Sequence, residues 1–169
     1  MRSSASRALA LLLLIASTAC TPPARGSSGP SGAGVEAEAR AFMDAYARDL
    51  LAGNRAAIAA RYDRRGAYFM GNGQKDFQPY EAIVARYGGP RWNPPATFEW
   101  RDLSFEPAGP DAVLVAGRFT WGRQGRAPMT LSYTGFLHRQ DGVLRIRLED
   151  ESFDPRDMPP PAQRDTTGG

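Results

Sequence analysis

The hydrophobic pattern of the chain changes near Pro95. Before this residue, apolar side chains recur at every third or fourth position, and after it they alternate with polar ones. The first spacing places apolar side chains on one face of a helix, and the second places them on one face of a strand. The sequence therefore predicts an α+β domain in which about three N-terminal helices cover one face of a C-terminal sheet.

Three helices are predicted ahead of the sheet. A long amphipathic helix spans residues 35–52, with its apolar side chains in one stripe, and Gly53 ends it. Asn54 is placed to cap a second, short helix that carries Tyr62. Pro79 opens the third helix, because proline fits the first helical position. The apolar side chains of this third helix are Ile83, Val84 and Tyr87.

Strands account for the rest of the predicted domain. A short strand over residues 67–70 runs into a glycine-rich turn before the third helix. Four long strands follow Pro95 and are joined by short turns, which favours an antiparallel meander. These four strands are predicted over residues 97–106, 112–121, 129–139 and 143–153.

The first twenty residues resemble a bacterial export signal that ends at a lipidation site. Arg2 and Arg7 precede an apolar run that is too short to span a bilayer of roughly 30 Å. Small residues then lead into Cys20, the only cysteine, as in the lipobox of lipoproteins. The resemblance implies a signal peptide over residues 1–19 and a lipid anchor on Cys20. Ordinary signal peptidase cleavage after Ala19, giving a secreted or periplasmic protein, is the alternative.

The resemblance also predicts a location and an organisation for the chain. Thr21 after the cysteine resembles the sorting signal for the outer membrane, where the domain would face the periplasm. Residues 20–34 and 154–169 are rich in Pro, Gly or Ser and too poor in apolar side chains to bury a core. We predict a lipidated cysteine with a flexible tether, one folded domain over residues 35–153 and a disordered Pro-rich tail.

Charge and composition argue against several functions. The formal net charge is only +3, and no run of basic residues is longer than Arg64–Arg65, so we expect no nucleic-acid partner. With one cysteine and one histidine, the chain has no intramolecular disulfide and no zinc site of His and Cys ligands. No cofactor-binding motif is present in the sequence, and we expect neither a cofactor nor a metal.

Three stretches of the predicted domain resemble the nuclear transport factor 2-like superfamily, which includes ketosteroid isomerases and polyketide-cyclase-like (SnoaL-like) proteins. They lie in residues 46–54, 56–62 and 141–152. The resemblance implies a cone, also called cystatin-like, in which a curved antiparallel sheet wraps the long helix and leaves an apolar cavity at its wide end. It further implies that two copies pair through the outer face of the sheet.

Asp150 is the first candidate for chemistry. Alternation along the last strand places Leu144, Ile146 and Leu148 on one face, and this face continues to Asp150. A carboxyl group on an apolar face is expected to have a raised pKa and to act as a general base. A solvent-exposed strand end, or an ion pair with an arginine, is the alternative.

Tyr46 and His138 are the predicted acid–base partners of Asp150. By its spacing to residues 52–53, Tyr46 matches the oxyanion-hole tyrosine of ketosteroid isomerases, whereas Met70 and Thr134 stand where that family has its two aspartic acids. Methionine cannot accept a proton, so ketosteroid isomerase activity is not expected. His138 falls near the end of the neighbouring strand, where it either pairs with Asp150 or is a satisfied surface residue.

A pocket for a small apolar ligand is predicted from the aromatic residues of the helices and strands. The residues expected to line it are Phe42, Tyr62, Met70, Trp100, Tyr133, Thr134 and Ser152. Three functions stay open. We favour a non-catalytic binding module over a small cyclase- or isomerase-like enzyme that uses Asp150 with Tyr46 or His138, and over a dimeric envelope scaffold.

Overall fold

A computed structural model describes residues 32–153. The predicted signal peptide, Cys20 and the predicted tail lie outside these residues. Three helices and six strands make up the described part. They are α1 (Gly32–Ala52), α2 (Arg55–Ala60), β1 (Ala67–Gly71), β2 (Gln74–Gln78), α3 (Tyr80–Gly88), β3 (Thr97–Pro107), β4 (Ala112–Gly122), β5 (Met129–Gln140) and β6 (Val143–Phe153).

The six strands form one curved sheet in the order β2-β1-β6-β5-β4-β3. The α+β class and the cone are confirmed, but the sheet is mixed because β1 runs parallel to β6. The chain leaves α2 alongside β6, where Tyr62 already bridges Ile146 in parallel register, and β1 continues in that direction. The turn after Gly71 then folds β2 back against β1. The antiparallel prediction is confirmed for the four long strands, and β1 and β2 also pair antiparallel.

Helix α1 packs on the concave face of the sheet. Its buried side chains recur at three- and four-residue spacing, as the sequence predicted, and burial of such a side chain stabilises a domain by roughly 2 kcal/mol. These side chains are Val35, Ala39, Met43, Tyr46 and Leu50. The helix begins at Gly32, three residues before the predicted boundary, so residues 32–34 belong to the helix and not to the tether.

The short helices begin somewhat differently from their predictions. Asn54 lies at the N-cap of α2 but makes no capping hydrogen bond; its side-chain Nδ2 donates to Asp49 Oδ1 at 3.2 Å. Pro79 is the N-cap residue of α3 rather than its first residue. None of the described helices has the combined length and apolar character that a membrane span needs.

A β-bulge interrupts the last strand. Phe136 of β5 pairs with Leu148, but the next residue, Leu137, pairs with Ile146. Arg147 is therefore an extra residue in β6 with no partner of its own in β5. An extra residue in one strand shifts the side chains that follow it to the opposite face of the sheet.

The bulge decides which acid enters the core. Before it, Leu144 and Ile146 face the helices, as predicted. Beyond it, Glu149 takes the concave face and is 3% exposed, whereas Asp150 turns to the outer face. The prediction that the apolar face continues to Asp150 is therefore wrong, and Glu149 holds the position expected of Asp150.

The outer face carries a row of apolar side chains across five strands. Successive strand partners place Phe77, Tyr68, Leu148, Phe136 and Leu114 side by side. The two ends of the row, Phe77 and Leu114, are 42% and 40% exposed. This row is compatible with a second copy of the chain on the outer face, and the predicted homodimer stays a prediction.

Candidate functional site

Three tyrosine hydroxyls meet a glutamate inside the cone. The Tyr62 hydroxyl lies 2.8 Å from the hydroxyls of both Tyr46 and Tyr87, and it donates a hydrogen bond to Glu149 Oε1 at 2.7 Å. All four side chains are buried. Each comes from a different segment: Tyr46 from α1, Tyr62 from the segment that follows α2, Tyr87 from α3 and Glu149 from β6. We call these four residues the tyrosine cluster.

The number of hydroxyl hydrogens fixes the direction of each bond. Tyr62 has one hydroxyl hydrogen, and it is directed to Glu149. The Tyr62 oxygen can still accept two hydrogen bonds, which Tyr46 and Tyr87 then donate. The Tyr46 hydrogen is therefore engaged with Tyr62 and is not free to stabilise an oxyanion, as the resemblance had implied.

Glu149 has an unusual protonation equilibrium. Burial raises the pKa of its carboxyl group to about 8, and the nearby charge of Glu151 acts in the same direction. The hydrogen bond from Tyr62 and the positive charge of Arg86 oppose this shift without cancelling it. The carboxyl group is therefore mainly protonated at neutral pH. Its Oε2 atom is buried and has no hydrogen-bond partner within residues 32–153.

Tyr133 supplies a second buried polar atom without a partner in the described part of the chain. Its ring packs edge-on against Trp100, with the centroids 4.9 Å apart. Its hydroxyl lies over Gly135, only 2.5 Å from the position that a Cβ atom would occupy there. Gly135 pairs with Glu149 across the strands, so both unpartnered groups lie on one small area of the concave face.

Aromatic rings surround this polar area. The Phe69 ring stacks on Tyr62 at 5.4 Å, and the Trp100 ring lies 6.3 Å from Tyr46. The Trp92 ring packs edge-on against Tyr87 at 5.6 Å. A few hydrogen-bonding groups within an aromatic wall are typical of sites for small organic molecules.

A surface cleft of about 610 Å³ adjoins the aromatic wall at Trp92. We call it the Arg86 cleft; it is lined by Gln78, Ala82, Ala85, Arg86, Gly89, Pro90, Arg91 and Trp92. A second cleft of about 640 Å³ lies on the other side of Trp92. We call it the Trp121 cleft; its lining includes Arg91, Trp92, Pro94, Trp121 and Arg123.

The loop between the two clefts is held by Arg55. Its guanidinium donates to the backbone oxygens of Tyr87, Gly89 and Trp92 at 3.0, 2.6 and 2.8 Å. It also lies 5.2 Å from the centroid of the Trp92 ring. Three hydrogen bonds from one side chain fix this loop, and with it the position of Trp92 over the tyrosine cluster.

Several predicted residues lie away from this site. Asp150 lies on the outer face, where it accepts a hydrogen bond from Ser152 at 2.7 Å. Met70 and Thr134 are its register partners in the two neighbouring strands and share that face. The placement of Asp150, Met70, Thr134 and Ser152 in the cavity is therefore wrong. The bulge at Arg147 turns Asp150 and Ser152 outward. Strand alternation directs Met70 and Thr134 outward, because their neighbours Phe69 and Tyr133 face the helices.

His138 contacts Asp63 and not Asp150. The buried Asp63 carboxylate also accepts hydrogen bonds from Arg65, including its backbone N–H at 2.7 Å, and from Gln140 at 3.3 Å. Burial by itself raises the pKa of Asp63, but the hydrogen bonds from Arg65 and His138 hold it well below its usual value. This group connects the segment after α2 to β5, which is a structural role for His138.

The remaining predicted residues lie in or near the site. Tyr46, Tyr62, Trp100 and Tyr133 are together on the concave side. Phe42, one turn before Tyr46, is partly buried under the Arg61 guanidinium, 5.1 Å from its ring centroid. That these side chains bind a ligand stays a prediction.

Sequence reasoning missed Glu149, Arg86 and Tyr87 as parts of the site. No sequence pattern indicated Glu149, because regular alternation along β6 places its side chain on the solvent-facing side of the sheet. A pattern did indicate Tyr87, since it follows Ile83 by four residues and both are buried on α3. Within residues 32–153, no group of three or more His, Cys, Asp or Glu side chains is arranged to hold a metal ion.

Solved structures share this fold although their sequences are distant. An NTF2-like protein of unknown function from Pseudomonas putida is 21% identical, with a TM-score of 0.61 over 77% of this chain and 95% of its own. A cystatin-like fold protein from Burkholderia xenovorans is 19% identical, with a TM-score of 0.58 over 74% of this chain and 94% of its own. A provisionally assigned ketosteroid isomerase from Parabacteroides distasonis is 13% identical, with a TM-score of 0.57 over 68% of this chain and 86% of its own.

No protein-family model and no curated protein sequence matches this chain. The structural likeness nevertheless confirms the fold that the sequence predicted, the NTF2-like or cystatin-like cone. One fold of this kind supports many unrelated functions, so a function has to be argued from the residues inside the cone.

Proposed function

We propose that the domain binds a small, mainly aromatic molecule inside the cone and places one oxygen atom of that molecule between Tyr133 and Glu149. The observation that carries this proposal is the pair of buried, unpartnered polar atoms, Tyr133 Oη and Glu149 Oε2, on one area of the concave face. A protonated Glu149 and the Tyr133 hydroxyl are both donors, so together they suit a carbonyl, phenol or alcohol oxygen.

The free energy of burial supports a binding role over simple core packing. A buried polar atom without a hydrogen-bond partner lowers the folding stability by about 1–3 kcal/mol. Phe or Leu at the same position would fill the core without that loss. Two such atoms at neighbouring positions are consistent with groups that await a ligand. A ligand reaches them only if the surrounding side chains move, because Glu149 and Tyr133 are 3% and 1% exposed.

Proton transfer by Glu149 is the second candidate function. The observation that favours it is the pKa of about 8, which lets this buried carboxyl group gain or lose a proton near neutral pH. The hydrogen bond from Tyr62 would stabilise the carboxylate that remains after a proton is given up. A solved structure of the same fold is provisionally assigned as a ketosteroid isomerase, so an isomerase-like reaction is the form of this second proposal.

Binding of 2-naphthol, measured by fluorescence titration of the full chain, tests the binding function. We expect a dissociation constant of about 1 mM or below, which corresponds to a modest binding free energy per heavy atom. Tyr133→Phe should weaken binding about tenfold, because it removes one donor to the ligand oxygen. Tyr68→Phe is the matched control, since it removes a tyrosine hydroxyl on the outer face of the sheet, away from the proposed site. Absence of binding, or equal loss in both variants, would contradict the proposal.

We further propose that the domain is held on the bacterial envelope through Cys20, with secretion as the alternative. The apolar run before this residue and its position as the only cysteine support the proposal. Expressed in a bacterial host, the chain should partition into detergent and fractionate with membranes, and Cys20→Ser should release it to the soluble fraction. A Cys20→Ser variant that stays with the membranes argues against a lipid anchor at this residue.

A further inference from the structure

The side chains that line the Arg86 cleft carry two positive charges and no negative charge. Within residues 32–153, neither Arg86 nor Arg91 forms an ion pair, whereas Arg61, Arg101 and Arg139 each contact a carboxylate. The eight residues that line the cleft include these two arginines and no acidic side chain. Such a cleft attracts anions, although the Glu149 and Glu151 carboxyl groups also act on Arg86 and offset part of the attraction.

Arg86 lies between this cleft and the tyrosine cluster. Its guanidinium is 4.6 Å from the centroid of Phe69 and 5.8 Å from that of Tyr87. Phe69 in turn stacks on Tyr62, so one aromatic ring separates the guanidinium from the centre of the cluster. The side chain is exposed and is held only by contacts with rings, which leaves its hydrogen-bond donors available.

Contacts link three groups of residues from the surface inward. Two guanidinium groups lie at the mouth, aromatic rings from Phe69, Tyr87 and Trp92 follow, and Tyr133 with Glu149 stands at the inner end. Glu149 faces Tyr62 of the α2 end and Arg86 and Tyr87 of α3, with Glu151 beyond it on the same strand. A molecule that satisfies all three groups of residues carries an anionic group at one end and an oxygen at the other.

We propose that the ligand of the cone is a small aromatic acid, whose carboxylate is bound by Arg86 with Arg91 while its ring lies against Trp92 and Phe69. This inference rests on the proposed binding function and names the class of ligand. Arginine suits the assignment because its planar guanidinium can give two parallel hydrogen bonds to one carboxylate.

Paired probes of one shape test the proposal. The probes are 6-hydroxy-2-naphthoate, which is an anion, and 6-hydroxy-2-naphthamide, which is neutral; both keep the inner oxygen. Titration calorimetry of the full chain should show the acid binding about tenfold more tightly than the amide. Arg86→Met should remove this preference by weakening the acid alone, and Arg86→Lys should retain part of it.

Control variants separate the cleft from general charge effects. Arg101→Met, which changes an exposed arginine already paired with Glu99, should leave both affinities unchanged. Arg123→Met should do the same, since Arg123 lines the Trp121 cleft. If Arg86→Met destabilises the fold, wild-type protein still provides a test, because added salt should weaken the acid and spare the amide.

Each outcome has a defined meaning. Equal affinities for acid and amide in the wild type overturn the inference and leave the binding function standing. A preference abolished by Arg123→Met and kept by Arg86→Met also overturns it, because the anion then occupies the other cleft. If neither these probes nor 2-naphthol binds, the proposed binding function fails as well.

Discussion

Unfolding of the protein in urea should require about 3 kcal/mol more free energy at pH 5 than at pH 8, and Glu149→Gln should remove most of that difference. The carboxyl group of Glu149 has a pKa of about 8 in the folded protein, compared with 4.5 as its ordinary value. Between these two values, the folded state holds a proton that the unfolded state has released. Folding stability therefore falls as pH rises through this window.

Two other carboxyl groups have shifted pKa values. Burial raises the pKa of Glu151, so Glu151 acts with the same sign as its neighbour Glu149, whereas Asp63 acts in the opposite direction. The pKa of Asp63 is lowered by its hydrogen bonds from Arg65 and His138, which outweigh burial, so its contribution is lost only as pH falls below the usual aspartate range. That loss lies outside the interval between pH 5 and pH 8.

Urea titrations followed by circular dichroism at several pH values measure the effect. Glu99→Gln is the matched control, since the Glu99 side chain is 62% exposed and its removal should leave the slope with pH unchanged. A wild-type protein that is equally stable at pH 5 and pH 8 would show that Glu149 is ionised in the folded state. A Glu149→Gln variant that keeps the full pH dependence would assign it to another group.

The prediction of α1 and the failure at β6 have different physical causes. The apolar stripe of α1 repeats over about four turns, so a local irregularity cannot change which side is buried. Strand alternation has a period of two, so one inserted residue moves every side chain that follows it to the opposite face of the sheet. Arg147 supplies that insertion, and its long side chain is compatible with either face, so the local sequence does not mark it.

The tyrosine cluster was predictable in part. The periodicity of their own elements places Tyr46 and Tyr87 inside the domain. That their hydroxyls converge on Tyr62 depends on how three separate segments pack against the sheet, which no local pattern specifies. The partner of the cluster, Glu149, then depends on the bulge. The sequence thus predicted an aromatic concave face but not the acid that gives it its chemistry.

Two substitutions of the same kind should have very different effects on stability. Tyr62→Phe should destabilise the protein by about 3 kcal/mol, whereas Tyr133→Phe should change stability by less than about 1 kcal/mol or increase it. Both side chains are fully buried, and each substitution removes one hydroxyl group. Loss of apolar burial therefore cannot distinguish them.

Hydrogen bonding does distinguish them. Removal of the Tyr62 hydroxyl leaves the hydroxyls of Tyr46 and Tyr87 and the Oε1 atom of Glu149 without their shared partner. Three buried polar groups are then unsatisfied, at about 1 kcal/mol or more each. The Tyr133 hydroxyl has no partner in the described residues, so its removal leaves no new group unsatisfied.

Urea unfolding at pH 6, where Glu149 is protonated, provides the comparison, with 2-naphthol titrations on the same samples. For Tyr133→Phe we expect unchanged or higher stability together with weaker binding, which is the combination that identifies a group kept for a ligand and not for the fold. Comparable destabilisation by both variants would mean that Tyr133 is satisfied within the protein. Its hydroxyl would then be part of the core network, and the ligand oxygen would lose one of its two proposed donors.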